Sequence, residues 1–140
     1  RLLPVATLIT PNLPEAARLL EAGEAADHDT MLAQGQALLE RGASAVLMKG
    51  GHASGDTCTD ILLMADGTHA YSAPRLETGN THGTGCSMSA AIAAELAKGA
   101  DLPRAVEIAH GWLHAAIAHA DRLEVGKGLG PVHHFHELWQ

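Results

Sequence analysis

The sequence predicts an α/β fold, a mainly parallel sheet flanked by helices. Three observations point there. A helix-patterned segment at 30–41 is followed closely by the continuous apolar run "AVLMK" at 45–49, of the length and character expected of a parallel strand buried on both faces. A helix feeding such a strand is half of a βαβ unit. The glycine-bearing stretch "NTHGTGCSMSAA" at 80–91 then leads directly into a further helical segment.

The elements follow in order. Residues 5–10, "VATLIT", form a short β-prone run stopped by Pro11. Asn12 occupies a cap position, with Glu15 three residues on in the manner of a capping box, so a helix is expected over 14–21. A second helix begins near Asp29 or Thr30 and ends at Arg41, where Gly42 stops it. Met31, Leu32, Leu38 and Leu39 recur along it at helical spacing. "DILLMADGTHAYSA" reads as two strands, the first starting at Asp60, joined at Asp66-Gly67. A helix over 87–98 carries Met88, Ile92 and Leu96 on one side and ends at Gly99. Asp101 caps the last helix, Pro103 sits in its first turn, and Val106, Ala109, Leu113, Ile117 and Ala120 form its buried stripe. The tail, 126–140, is loop-like.

The 140 residues suffice for one domain with a core, and 46% hydrophobic against 18% charged residues is an ordinary globular balance. A net charge of −7 with only nine Lys and Arg argues against nucleic acid or an anionic membrane as a partner held by charge. No apolar run approaches the roughly 18 residues that would cross a bilayer. Cys58 and Cys86 are expected as free thiols in a cytoplasmic protein. The chain opens at Arg1 one short step before a strand, so residues 1–140 are expected to be the C-terminal part of a longer single-domain protein.

Gly83, Thr84 and Gly85 enter a helix whose first N–H groups lack intrahelical partners, and the helix dipole places partial positive charge there. Without side chains at 83 and 85, backbone amides can approach a phosphoryl oxygen closely. A plain glycine turn before a packed helix fits the same letters equally well. The segment is neither a Walker A loop nor a dinucleotide fingerprint. Asn12 and Glu15 place an amide and a carboxylate just past the first strand, where Glu15 could hold Mg2+ through water. Their spacing alone favours the capping box. Lys49 ends the buried strand beside Gly50-Gly51, a position where open α/β sheets bind ligands. It reads equally as a lysine reaching out of the sheet.

Taken together, "TPNLPEA", "VLMKGGH", "NTHGTGCSMSAAIAAELAKG" and the late "GKGLGPVHHF" resemble the C-terminal half of the hydroxymethylpyrimidine/phosphomethylpyrimidine kinase family. That family belongs to the ribokinase-like superfamily, acts in thiamine biosynthesis and has a three-layer α/β/α fold. The resemblance covers essentially the whole chain. It implies an ATP-dependent kinase that phosphorylates 4-amino-5-hydroxymethyl-2-methylpyrimidine and then its monophosphate. By the same resemblance, Asn12 and Glu15 organise Mg2+ and phosphates, with Glu15 toward the metal. Lys49 and Thr81 lie among the nucleotide contacts, and Gly83, Thr84 and Gly85 form the anion hole. Most of the superfamily carries Asp as base after the second glycine; this subgroup carries Cys, which Cys86 matches. A small pyrimidine substrate and a homodimer are the expected partners, and the missing half would supply most of the acceptor pocket. The stretch alone is therefore expected to be inactive. Pyridoxal kinase and a nucleotide-binding remnant without catalysis are the alternatives.

Removing a proton from a primary alcohol needs a basic group within hydrogen-bond reach, and a helix N-terminus favours the thiolate of a cysteine. Cys86 is thus read as base, or as the group that orients the hydroxyl. A thiol hydrolase pairing Cys86 with His82 competes, but it gives Asn12, Glu15 and Lys49 no common purpose. His133–His136, "HHFH", could ligate a metal, although packed or solvated histidines suit the tail better. His52 is expected to stabilise its loop, Cys58 to be structural, and Trp112 to be core or interface.

Overall fold

The computed structural model describes residues 2–51 and 55–139. They divide into two compact units, Arg1–Arg75 and Leu76–Gln140.

In the first unit, a short 3-10 turn at Leu3–Val5 leads into an extended segment that pairs in parallel with the next strand through Ile9↔Val46 and Asn12↔Lys49. The expected strand over 5–10 therefore begins late, because Pro4 and Val5 lie within the tight turn. Helix α1 covers Leu13–Leu20 and α2 covers His28–Glu40. The anticipated capping box at Asn12 is present in both directions.

Helix α2 starts ahead of the predicted Asp29 or Thr30. Asp27 accepts the Thr30 N–H at 2.8 Å and becomes the cap. The Thr30 hydroxyl, and then its N–H, hold the Asp27 carboxyl below its ordinary value. At the far end, the Arg41 guanidinium donates to the Leu19 and Leu20 carbonyls, joining the end of α2 to the end of α1.

Strand β1, Ala45–Met48, is buried throughout. Its second edge pairs antiparallel with β2, Thr57–Met64, which pairs antiparallel with β3, Gly67–Pro74. Parallel pairing among the described residues of this unit is confined to the Ile9 and Asn12 bridges. Strand β2 begins at Thr57 rather than Asp60. The hairpin loop is Ala65-Asp66, one residue earlier than expected, since Gly67 already pairs with Met64. The core joins Leu13, Ala16, Met31, Leu38, Val46, Met48, Ile61 and Leu63. Helix α2 approaches β2 closely at Gly35, where a Cβ would stand 2.5 Å from Leu63 Cδ1.

In the second unit, α3 covers Thr84–Ala97 and α4 covers Leu102–Ala118. Helix α3 begins three residues before the predicted start, because Gly83 takes a positive φ of 85° and turns the chain into the helix at once. Asp101 caps α4 by accepting the Arg104 N–H at 2.9 Å. Val106, Ala109 and Ala120 of the predicted stripe are buried, with Ala105 and Ala116 beside them. The tail packs on α4. Val132 and His133 are buried, and the His133 N–H donates to the Ala116 carbonyl at 3.0 Å. No helix of the described residues is long and apolar enough to cross a membrane.

Candidate functional site

The sequence-predicted residues fall into two local groups, one in each unit. In the first, parallel pairing sets Asn12 beside Lys49, with the Lys49 N–H donating to the Pro11 carbonyl at 2.9 Å. Glu15 stands one turn into α1. Its Oε2 accepts the Asn12 N–H at 2.8 Å while Asn12 Oδ1 accepts the Glu15 N–H at 2.8 Å. The capping reading of these two residues is therefore realised in the structure. The exposed Glu15 carboxylate keeps its Oε1 outside that contact, which fits a water-mediated divalent cation. Asn12→Ala removes the cap and is expected to lower stability by about 1 kcal/mol, read as a reduced denaturation midpoint; an unchanged midpoint would contradict this.

Beyond Lys49 the chain turns at Gly50, whose N–H donates to Asp60 Oδ1 at 2.9 Å. Gly50 lies so close to β2 that a Cβ would stand 2.0 Å from the Thr59 carbonyl oxygen. Sequence reasoning treated Asp60 only as a strand start, yet it anchors the turn after Lys49. The available signal was a carboxylate heading the apolar run "DILLM". Arg75 adds a second brace, donating Nε to the Gly55 carbonyl at 2.7 Å and Nη1 to that of Gly51 at 3.0 Å. His52 lies outside the described residues. A hollow of about 440 Å3 beside α1 is lined by Ile9, Thr10, Pro11, Glu15, Arg18 and Leu19, without Asn12 or Lys49.

In the second group, Gly83 stands at the cap position of α3 in the left-handed region, which a side chain would strain. Thr84, Gly85 and Cys86 form the first turn, and among the described residues no side chain caps it. The Thr84 N–H reaches the Thr81 carbonyl at a long 3.4 Å. The N–H groups of Gly85 and Cys86 have no intrahelical partner by helix geometry. They open a helix of fourteen residues, so the dipole's positive end coincides with these amides. Such an end suits a phosphoryl group. Cys86 is exposed there, as are Thr81 and His82.

Among the described residues no hydrogen bond joins the His82 ring to Cys86. The His82 backbone instead pairs with the tail, its N–H donating to the Gly130 carbonyl at 3.0 Å. The tail histidines are engaged in packing. His134 Nε2 lies 2.7 Å from Ser87 Oγ, and the His136 ring stacks on His119 at 5.4 Å. Trp112 lies 6.0 Å from the His134 ring. Among the described residues no group of three or more His, Cys, Asp or Glu side chains could hold a metal. Cys58 is a half-buried free thiol in β2.

The likeness to known proteins spans nearly the whole chain. It is 56% identical over 139 residues to hydroxymethylpyrimidine/phosphomethylpyrimidine kinase of Salmonella typhimurium, covering 99% of this chain and 52% of that protein. The protein of that name from Escherichia coli K12 is 52% identical over the same shares. Among solved structures, pyridoxal kinase from Staphylococcus aureus in complex with AMP-PCP and pyridoxal superposes with a TM-score of 0.91 at 30% identity. That superposition covers 98% of this chain and 51% of the kinase. The fold is thus α/β and ribokinase-like, and the chain spans about half the length of the curated relatives it matches. Residues 1–133 match the family described as phosphomethylpyrimidine kinase, and the chain belongs to that family.

Proposed function

We propose that the full-length protein transfers the γ-phosphoryl group of ATP to the hydroxymethyl oxygen of 4-amino-5-hydroxymethyl-2-methylpyrimidine, and then a second phosphoryl group to the resulting monophosphate. The observation that carries this reading is the uncapped N-terminus of α3. Gly83 in the left-handed region opens it, and the exposed Cys86 stands in its first turn, within a chain of this family.

Phosphoryl transfer through a loose transition state asks the protein chiefly to position groups and to meet spreading negative charge. The N–H groups of Gly85 and Cys86, with Gly83 and Thr84 shaping the turn, supply preorganised donors for that charge. Cys86 accepts the acceptor hydroxyl's proton or orients that hydroxyl. Lys49 and Thr81 bind the nucleotide, Lys49 by pairing its ammonium with a phosphate. Asn12 and Glu15 hold the hydrated metal side, Asn12 from the cap and Glu15 through its second oxygen. When bound, Mg2+ supplies charge neutralisation on the phosphate oxygens. The acceptor pocket belongs largely to the half of the protein outside this stretch, so residues 1–140 alone should not turn over. The proposal extends to a homodimer located in the cytoplasm.

Pyridoxal phosphorylation is the second reading, favoured by the superposition on the pyridoxal kinase complex. The test is phosphate transfer from ATP by full-length protein, with hydroxymethylpyrimidine and pyridoxal as separate acceptors and product masses as readout. Two successive additions to the pyrimidine are expected. A clear preference for pyridoxal would move the assignment to the second reading, and transfer to neither would overturn both.

A further inference from the structure

The stretch leading into the glycine loop is held at every second residue. Thr78 Oγ1 donates to Asp121 Oδ1, and Asn80 Nδ2 donates to the same oxygen at 2.8 Å. Asn80 Oδ1 in turn accepts the Gly130 N–H at 3.0 Å, and the Gly130 carbonyl accepts the His82 N–H at 3.0 Å. Between Thr78 and Asn80 the chain bends at Gly79, where the Asn80 N–H donates to Thr78 Oγ1 at 3.0 Å. Gly130 is buried, with both backbone polar groups occupied, and a Cβ on it would stand 2.1 Å from Asn80 Oδ1. On the far side of the loop, buried Ser87 bonds His134. The tail therefore grips the glycine segment immediately before and immediately after Gly83–Cys86.

We propose that Asn80 is a positioning residue for the glycine loop, acting through Gly130 and Asp121 and touching no substrate. The inference rests on the kinase reading above. Glycine segments lose more conformational freedom on ordering than any others, so amides that must meet a transition state need an external brace. Asn80 supplies it because an amide can both accept from Gly130 and donate to Asp121. An aspartate at 80 could still accept from Gly130, but it would set its carboxylate against that of Asp121.

The test uses full-length protein and the variants Asn80→Asp, Asp121→Asn and the double exchange. Asn80→Asp should lower turnover per folded molecule about 100-fold, with the KM for ATP changing less. Asp121→Asn alone keeps the acceptor oxygen and should stay within about threefold of the parent. The double exchange again places a donor opposite an acceptor and should recover turnover to within about fivefold. A purely structural contact would shift the melting temperature and leave turnover per folded molecule unchanged.

Turnover of Asn80→Asp within about threefold of the parent would overturn the proposal, as would a double variant no faster than the single one. Failure of Asn80→Asp to fold at any temperature tried would also overturn it, by making the contact a folding requirement. Should the unsubstituted protein phosphorylate neither acceptor, the kinase reading fails separately. The brace is then read from ATP affinity by calorimetry. Loss in Asn80→Asp with recovery in the double variant supports it, and equal affinities overturn it.

Discussion

Replacing Cys86 by alanine in the full-length protein is expected to lower turnover about 100- to 10,000-fold while the KM for ATP moves by less than about threefold. The asymmetry follows from the placement of the residue. Cys86 stands exposed in the first turn of α3, and its backbone N–H remains when the side chain is cut back. On the proposed mechanism the amide contribution to phosphate binding therefore survives, and only the thiol's action on the acceptor hydroxyl is lost. Cys86→Asp restores a group able to accept that proton and should regain a measurable part of the rate. Steady-state assays with varied ATP and saturating pyrimidine separate the two parameters. Near-normal turnover of Cys86→Ala would remove the thiol from the mechanism and leave the amides alone at that position.

Gly50→Ala should destabilise the full-length protein by about 3 kcal/mol, at the upper end of what overpacking costs, because the atom in the way is backbone. The new Cβ would stand 2.0 Å from the Thr59 carbonyl oxygen in β2. Thr59 is held in register opposite Ser72, so it cannot withdraw without disturbing the β2–β3 pairing. The turn must move instead, which breaks the Gly50 N–H bond to Asp60 and shifts Lys49. Gly51→Ala is the control. Among the described residues a Cβ there meets nothing within 4 Å, so it should cost less than about 1 kcal/mol. Chemical denaturation of the two variants side by side checks this, and equal midpoints would contradict it. A raised KM for ATP in Gly50→Ala, measured on folded protein, would tie the turn to Lys49 function.

The features read correctly from the letters are those formed within a few residues. Asn12 and Glu15 close their capping box three residues apart, and Asp101 caps Arg104 over the same interval. Local competition explains the misplaced boundaries. Helix α2 starts ahead of Asp29 because the Asp27 carboxylate takes both the N–H and the hydroxyl of Thr30. The hairpin slipped to Ala65-Asp66 because the pairing of β2 with β3 places Met64 opposite Gly67. Helix α3 began early because a positive φ at Gly83 permits a helix start without a side-chain cap.

The candidate site divides along the same line. The Gly83–Cys86 turn, Lys49 at the end of a buried strand and the Asn12 cap were visible because each is a short local arrangement with recognisable chemistry. Asp60 behind Gly50, and the grip of Asn80 on Gly130 and Asp121, were not. Those partners lie 10, 50 and 41 residues apart along the chain.

By itself the sequence determined where helices can start and stop, which run must be buried, and to which family the motifs are akin. Capping, glycine torsion and apolar run length act within one or two turns, so they can be read from adjacent letters. The tertiary structure alone decided which edge of β1 takes a parallel partner and which an antiparallel one. It also decided why positions 35, 50 and 130 have no room for a Cβ. Each of those outcomes depends on how closely two distant stretches of chain approach, a distance set only when the packed core and the hydrogen-bond ladders close together.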